Sequence, residues 1–248
     1  GESVLVHSVR CPAEFTPLDT CPDKFISLAA GGDTTCALNK HNRILCWGEN
    51  GAGKLGRGVI PPWPYHYTWE KVQVINMDTA PRKVAKGKAG SDLSCAVTED
   101  DSLYCWGEGA AVSSATPLLL FAEVSEVAIG SQHACMILTT GDIRCWGDNS
   151  HGQLGVPAIT NTATPVEILN SVGTFSEVSL GEYHSCARTT DGSVLCWGDN
   201  TEGQCGTGGT TSYARPHQQE WLGVSKDFRR CIAYLWSLGR RAHLLLGR

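Results

Sequence analysis

The sequence predicts an all-β fold, and three observations carry that expectation. Glycine is abundant, at 28 of 248 residues, while charged residues make up 18%, a balance suited to short strands and tight turns rather than long salt-bridged helices. A single frame, G-x4-C-x9-C-W-G, recurs four times without a gap. Its tryptophans, Trp47, Trp106, Trp146 and Trp197, stand 59, 40 and 51 residues apart, intervals typical of propeller blades with about four strands each.

The four copies are GGDTTCALNKHNRILCWG from Gly31, GSDLSCAVTEDDSLYCWG from Gly90, GSQHACMILTTGDIRCWG from Gly130 and GEYHSCARTTDGSVLCWG from Gly181. In each, the two cysteines flank turn residues. In the last copy, Thr190-Asp191-Gly192 separates two short semi-apolar runs, which reads as a β-hairpin with Gly192 supplying a positive φ. Residues equidistant from a hairpin turn face each other with Cα atoms about 4.5 to 5.5 Å apart, within reach of a disulfide. The expected bridges are therefore Cys36–Cys46, Cys95–Cys105, Cys135–Cys145 and Cys186–Cys196. Buried free thiols are the alternative. A metal site fits worst, because structural zinc thiolates come in pairs two to four residues apart. No metal is therefore expected.

Cys11 and Cys21 keep the same ten-residue spacing, but CPAEFTPLDTC has two prolines and no Trp-Gly, so residues 1–24 read as a terminal clasp before the repeats of 25–210. Cys205 and Cys231 are left over. Residues 211–248 lack the frame. Residues 226–248 carry Lys226, Arg229, Arg230, Arg240, Arg241 and Arg248 against Asp227 alone, a net of +5 that leaves −10 on the preceding 225 residues. Phe228, Ile232, Leu235 and Trp236 at helical spacing, with Gly239 as a stop, predict one basic amphipathic C-terminal helix that caps an open end, the alternatives being an anionic partner or a sequence out of register with its ancestral frame. The acidic body argues against a nucleic-acid partner, which needs clustered Lys and Arg. No apolar run is long enough to span a bilayer. GESVLVHSVR lacks the form of a secretion signal and reads as the start of a mature chain.

After each Trp-Gly, the continuation W-G-x-N-x2-G-x-L-G is present in WGENGAGKLG and WGDNSHGQLG, and in WGDNTEGQCG with Cys205 replacing Leu. Together with the Gly-x-x-His of GSQHAC and GEYHSC, this resembles the regulator of chromosome condensation (RCC1-like) repeat family, in its disulfide-containing secreted type, over about three quarters of the chain. The resemblance implies a β-propeller of four-stranded antiparallel blades. Family members commonly have about seven blades, and four are recognisable here, a partial or open propeller. The second copy, WGEGAAVSSATP, has lost the Asn and the later glycines, which predicts a shortened or irregular loop.

His133 and His184 precede bridged cysteines, but Thr34 and Leu93 occupy the same slot, so the position reads as structural. Asp148 and Asp199 are one position in two blades rather than a catalytic pair, and Asn50, Asn149 and Asn200 read as local turn caps. The repeat tryptophans fit anchors between blades. No Ser-His-Asp set, HExxH, P-loop or dinucleotide fingerprint occurs, so neither an enzyme nor a cofactor is expected. The candidate partner surface is the insert IPPWPYHYTWE, with Trp63, Tyr65, His66, Tyr67 and Trp69, since loops carry function more often than strands and Tyr and Trp are enriched at binding hot spots; the alternative is that these aromatics cover the gap between blades 1 and 2.

These readings converge on an extracellular or lumenal scaffold that binds another protein through its face loops, because disulfides persist mainly in oxidising compartments. The alternative that the resemblance implies is guanine-nucleotide exchange on a small GTPase, which fits a reducing compartment and a basic leading extension. A plant-type light sensor is disfavoured because its GWRHT segments read GEYHS and GSQHA here.

Overall fold

Each copy of the frame folds as an antiparallel hairpin with its two cysteines directly opposite. The structure, a computed structural model, describes residues 24–60, 67–87, 91–168 and 173–218. Cys36 faces Cys46, Cys95 faces Cys105, Cys135 faces Cys145 and Cys186 faces Cys196. All four pairs are disulfides with Cα atoms 4.1 Å apart. The turns are alike: the third loop residue takes a positive φ in every blade, as Asn42, Asp101, Gly141 and Gly192. Asn and Asp replace the expected glycine in two of them, being among the few other residues that tolerate this conformation.

Flanking strands complete four four-stranded meanders. Blade 1 contains β1 (Phe25–Gly31), β2 (Thr34–Asn39), β3 (Ile44–Glu49) and β4 (Tyr67–Gln73). Blade 2 contains β5 (Pro81–Lys86), β6 (Asp92–Thr98), β7 (Leu103–Gly109) and β8 (Val112–Phe121). Blade 3 contains β9 (Val124–Ile129), β10 (His133–Leu138), β11 (Ile143–Asp148) and β12 (Asn161–Glu167). Blade 4 contains β13 (Phe175–Leu180), β14 (His184–Thr189), β15 (Val194–Gly198) and β16 (Tyr213–Gln218). The described residues hold no helix, and no helix among them is long and apolar enough to cross a membrane. Strand β16 lies beyond residue 210, where the repeat frame ends; an outer strand carries none of the frame's fixed residues, so the sequence pattern does not mark it. The predicted C-terminal helix and the Cys11–Cys21 clasp lie outside the described residues.

Adjacent residues of a strand point to opposite faces, so Cys46 and Trp47, and their equivalents, serve two different interfaces. The bridged cysteines of blades 1, 2 and 3 enter the apolar core shared with the following blade, while Trp106, Trp146 and Trp197 enter the core shared with the preceding one. The result is a directional arc with three interlocked cores. Strands β1, β5, β9 and β13 form its inner edge, around a space of about 300 Å³. Among the described residues no apolar cluster joins blade 4 to blade 1. The disulfide of blade 4 instead packs with Cys205, Val194 and Tyr213.

The glycine of Cys-Trp-Gly is fixed by a close approach. Gly48, Gly107, Gly147 and Gly198 all have φ between 93° and 108°, and a Cβ there would land on the carbonyl oxygens of Asp33, Asp92, Gln132 and Tyr183. No L side chain satisfies both constraints.

Candidate functional site

The richest chemistry lies on the loops that follow β3, β11 and β15. Asn50, Asn149 and Asn200 each hold their loop closed: the side-chain oxygen accepts from the backbone N–H of Leu55, Leu154 and Cys205, at 3.0, 2.8 and 2.7 Å. The side-chain nitrogens donate to loop carbonyls such as Val59, Val156 and Gly209. All three asparagines are buried, so the amide serves the loop itself and offers nothing to a ligand.

Seven residues after the tryptophan, the closed loop presents a carbonyl to the next blade. The Lys54 carbonyl accepts from the Trp106 indole N–H at 2.9 Å and from Ser94 Oγ at 3.0 Å. The Gln153 carbonyl accepts from Trp197 and Ser185 Oγ, both at 2.8 Å. Gly56 and Gly155 end these loops so close to the same indoles that a Cβ would meet their nitrogens at 2.9 and 3.1 Å. Gly53 and Gly152 lie against Ala115 and Ala214 of the next outer strand. The side chain at the carbonyl position reaches back to a carboxylate two residues after the tryptophan. Lys54 Nζ sits 2.5 Å from Glu49 and 2.6 Å from Asp92 of blade 2. Burial alone would lower the ammonium's pKa, but the two carboxylates prevail and hold it above its usual value. Gln153 and Gln204 donate to Asp148 and Asp199 at 2.7 and 2.9 Å. Burial works to raise these two carboxyls, yet the donors around them, among them Ser150 and Gln153 at Asp148 and Thr201 and Gln204 at Asp199, hold both below the usual carboxylate range. They are ionised loop anchors.

The histidines answer to packing in the same way. His133 is 3% exposed, and its Nε2 lies 2.9 Å from Ser185 Oγ across the interface between blades 3 and 4. Burial pushes its pKa down to about 3, with His184 adding to the effect. Gly130 and Gly181 leave the space that the His133 and His184 rings fill. Each glycine also donates its N–H to the carbonyl of its own histidine at 2.8 Å. The Gly-x-x-His pair is thus one packing unit. Cys205 is a free thiol, buried, and burial pushes its pKa up to about 12.

The arrangement has one exception, between blades 2 and 3. There the segment joining β7 to β8 is only Ala110 and Ala111, the shortened loop expected from WGEGAAVSSATP. The space that a long loop fills elsewhere is a cavity of about 570 Å³. Sequence reasoning marked the lost loop but not the cavity, which depends on what the neighbouring blade keeps in place. Of the predicted partner surface, Trp63, Tyr65 and His66 lie outside the described residues. Tyr67 opens β4 with 60% of its surface exposed, and Trp69 lies in the same strand. Gly31 ends β1 and pairs with Thr34, while Gly90 lies outside the described residues.

Sequence comparison agrees with this repeated geometry. The regulator of chromosome condensation (RCC1) repeat matches residues 25–54, 124–153 and 175–204, and a second pattern of the same description matches 140–188 and 191–229. Together these spans exceed half of the chain. The protein belongs to the RCC1 repeat family. Among curated RCC1 relatives it is similar to the ultraviolet-B receptor UVR8 of Arabidopsis thaliana, 27% identical over 90% of this chain and 55% of that one. It is also similar to the mitochondrial RCC1 domain-containing protein RUG3 of the same plant, 26% identical over 89% and 48%. The probable E3 ubiquitin-protein ligase HERC6 of Homo sapiens is 26% identical over 78% of this chain and 20% of that one. The chain thus spans about half the length, or less, of these relatives. Solved structures with the same fold include human WBSCR16, with a TM-score of 0.72 at 22% identity over 83% of this chain and 55% of that one. Prp20p of Saccharomyces cerevisiae gives 0.70 at 20% identity over 80% and 51%.

Proposed function

We propose that this RCC1 chain is a non-enzymatic scaffold of an oxidising compartment, extracellular or lumenal, that binds another protein through the loops of one propeller face. The observation that carries the reading is the disparity between frame and loops. The disulfides, tryptophans, asparagines and glycines of the frame are spent on holding blades together, while the segments after the third strand of each blade, residues 50–66, 110–111, 149–160 and 199–212, differ in length and composition. A rigid ring segment with variable loops suits recognition. Yeast Prp20, of the same fold, has been solved bound to Kap60, which supports protein binding by a protein of this fold.

The aromatic insert is the surface we assign to the partner, with Trp63, Tyr65, His66, Tyr67 and Trp69 as its anchors. Replacing Trp63 and Trp69 together by Ala is expected to leave the thermal transition in place and to weaken a captured partner by at least about tenfold, as for loss of a hot spot. A collapsed transition would make the insert a core element instead. Acceleration of nucleotide release from a small GTPase by the purified chain would replace this reading with the exchange-factor one.

A further inference from the structure

The cavity between blades 2 and 3 retains most of a socket whose plug the chain itself lacks. At the other two interfaces the plug is the long loop of the preceding blade, and it makes four contacts: its carbonyl takes the next indole N–H and the next Ser hydroxyl, its Lys or Gln meets a carboxylate, and its glycine lies on an alanine. In the cavity the counterparts stand waiting. Trp146 is 1% exposed and lies in the wall, and its indole N–H has no acceptor among the described residues, unlike those of Trp106 and Trp197. Glu108, at the position of Glu49 and Asp148, lines the cavity exposed, with no ion pair among the described residues. Ala163, equivalent to the Ala115 and Ala214 that receive Gly53 and Gly152, lines it too. One contact has been given up on both sides, for Ala134 replaces the serine of Ser94 and Ser185.

We propose that this cavity binds a turn-forming peptide segment of a partner protein, one that offers a backbone carbonyl to Trp146 and a Lys or Arg side chain to Glu108, with a glycine against Ala163. The two intramolecular loops show that such a segment fits between blades of this chain. The carboxylate supplies the charge preference, as it does for Lys54 at the first interface. The Trp146 indole lines the cavity wall, so its N–H faces the open space and gives a directional preference for a carbonyl acceptor, which would replace solvent there. The inference deepens the partner-binding reading and rests on it, yet it concerns residues other than those of the aromatic insert.

The test uses a backbone-cyclised peptide carrying Asn-Gly-Ala-Gly-Lys-Leu-Gly, the sequence of residues 50–56, titrated into the full chain by isothermal calorimetry. Saturable one-to-one binding is expected. Glu108→Gln should weaken it by about tenfold, the loss of one hydrogen bond to a charged group, while sparing a peptide with Gln in place of Lys. Trp146→Phe should weaken both peptides. Exchanging Ala110–Ala111 for residues 149–160 should abolish binding by filling the cavity. Absence of saturable binding, indifference to Glu108→Gln and to the loop exchange, or equal binding of free methylammonium would each overturn the proposal. A partner that still depends on Trp63 and Trp69 in that event would leave the scaffold reading standing.

Discussion

The Trp197 indole N–H donates to the carbonyl oxygen of Gln153 at 2.8 Å, so a side chain of blade 4 is clasped by a loop of blade 3. Trp106 and Lys54 repeat the relationship one joint earlier. Both rings are fully buried, whereas Trp47, on the outer face of blade 1, is only half-buried. Trp197→Ala should therefore cost about 3–5 kcal/mol, as for other buried aromatic truncations, and Trp47→Ala roughly half of that or less. Urea denaturation of the two variants side by side checks the ordering, and equal losses would show that Trp47 is covered in solution.

Glycines of the frame should differ sharply in tolerance. Gly147→Ala puts a methyl group on the Gln132 carbonyl at a φ of 108°, so a loss above about 2 kcal/mol is expected. At Gly192 nothing lies within 4 Å of the added carbon, leaving only the backbone penalty of about 1 kcal/mol for Ala. Gly192→Asn should cost less than Gly192→Ala, because Asn42 already serves that turn in blade 1. Melting temperatures of the three variants decide this.

Acid sensitivity should centre on His133. Its folded-state pKa near 3 lies below the ordinary 6.5, so the extra proton favours the unfolded chain. Stability from this group is complete above about pH 6.5 and falls as pH drops from there toward 3, by at most about 1.4 kcal/mol per pH unit. His133→Thr, the residue blade 1 carries at this slot, should flatten that limb of the pH–stability curve. An unchanged limb would assign the acid transition to other groups.

Cys205 should resist alkylation in the folded chain. With its pKa raised from an ordinary 9 to about 12 by burial, almost no thiolate exists near neutral pH. The same shift makes the folded state hold its proton more tightly, so this contribution to stability is full below pH 9 and is lost as pH rises from 9 toward 12. Iodoacetamide labelling at pH 8, with and without urea, reads it out; rapid labelling without urea would contradict the buried thiol.

The four hairpin bridges should stabilise by about 2–3 kcal/mol each, as ten-residue closures do on a chain-entropy estimate. Reductant should lower the melting temperature accordingly, and any bridge removed by paired Ser substitution should reproduce its share. No shift on reduction would also remove the argument for an oxidising compartment.

The hairpins, their cross-strand cysteines and the blade architecture were legible because they depend on residues close in sequence: Cys36 and Cys46 are fixed by one turn. The outer strands were not, since β16 is held by pairing to β15 and by no residue type of its own. The loop asparagines read correctly as caps for the same local reason. The tryptophans read as anchors between blades, but what escaped the sequence was which groups meet across an interface, such as Lys54 with Asp92 or Gly152 with Ala214, because such partners become neighbours only when blades stack. The cavity at Trp146 belongs to that class: a missing loop is visible in one copy, but Trp146 and Ala163, which face it, sit in the next.

The arc also has a head and a tail that differ. Among the described residues, blade 1 leaves Trp47 half-buried while blade 4 packs its Cys186–Cys196 bridge with Cys205, Val194 and Tyr213. A tryptophan of one blade and the bridge of another are the two halves that meet at each internal joint. A structure of this kind grows by whole units, since a duplicated copy of the frame inserts between any two others using joints that already exist. Blade number is then a quantity that gene duplication can raise or lower while keeping the tryptophan-to-bridge packing of each joint, with the loops supplying what differs from one joint to the next.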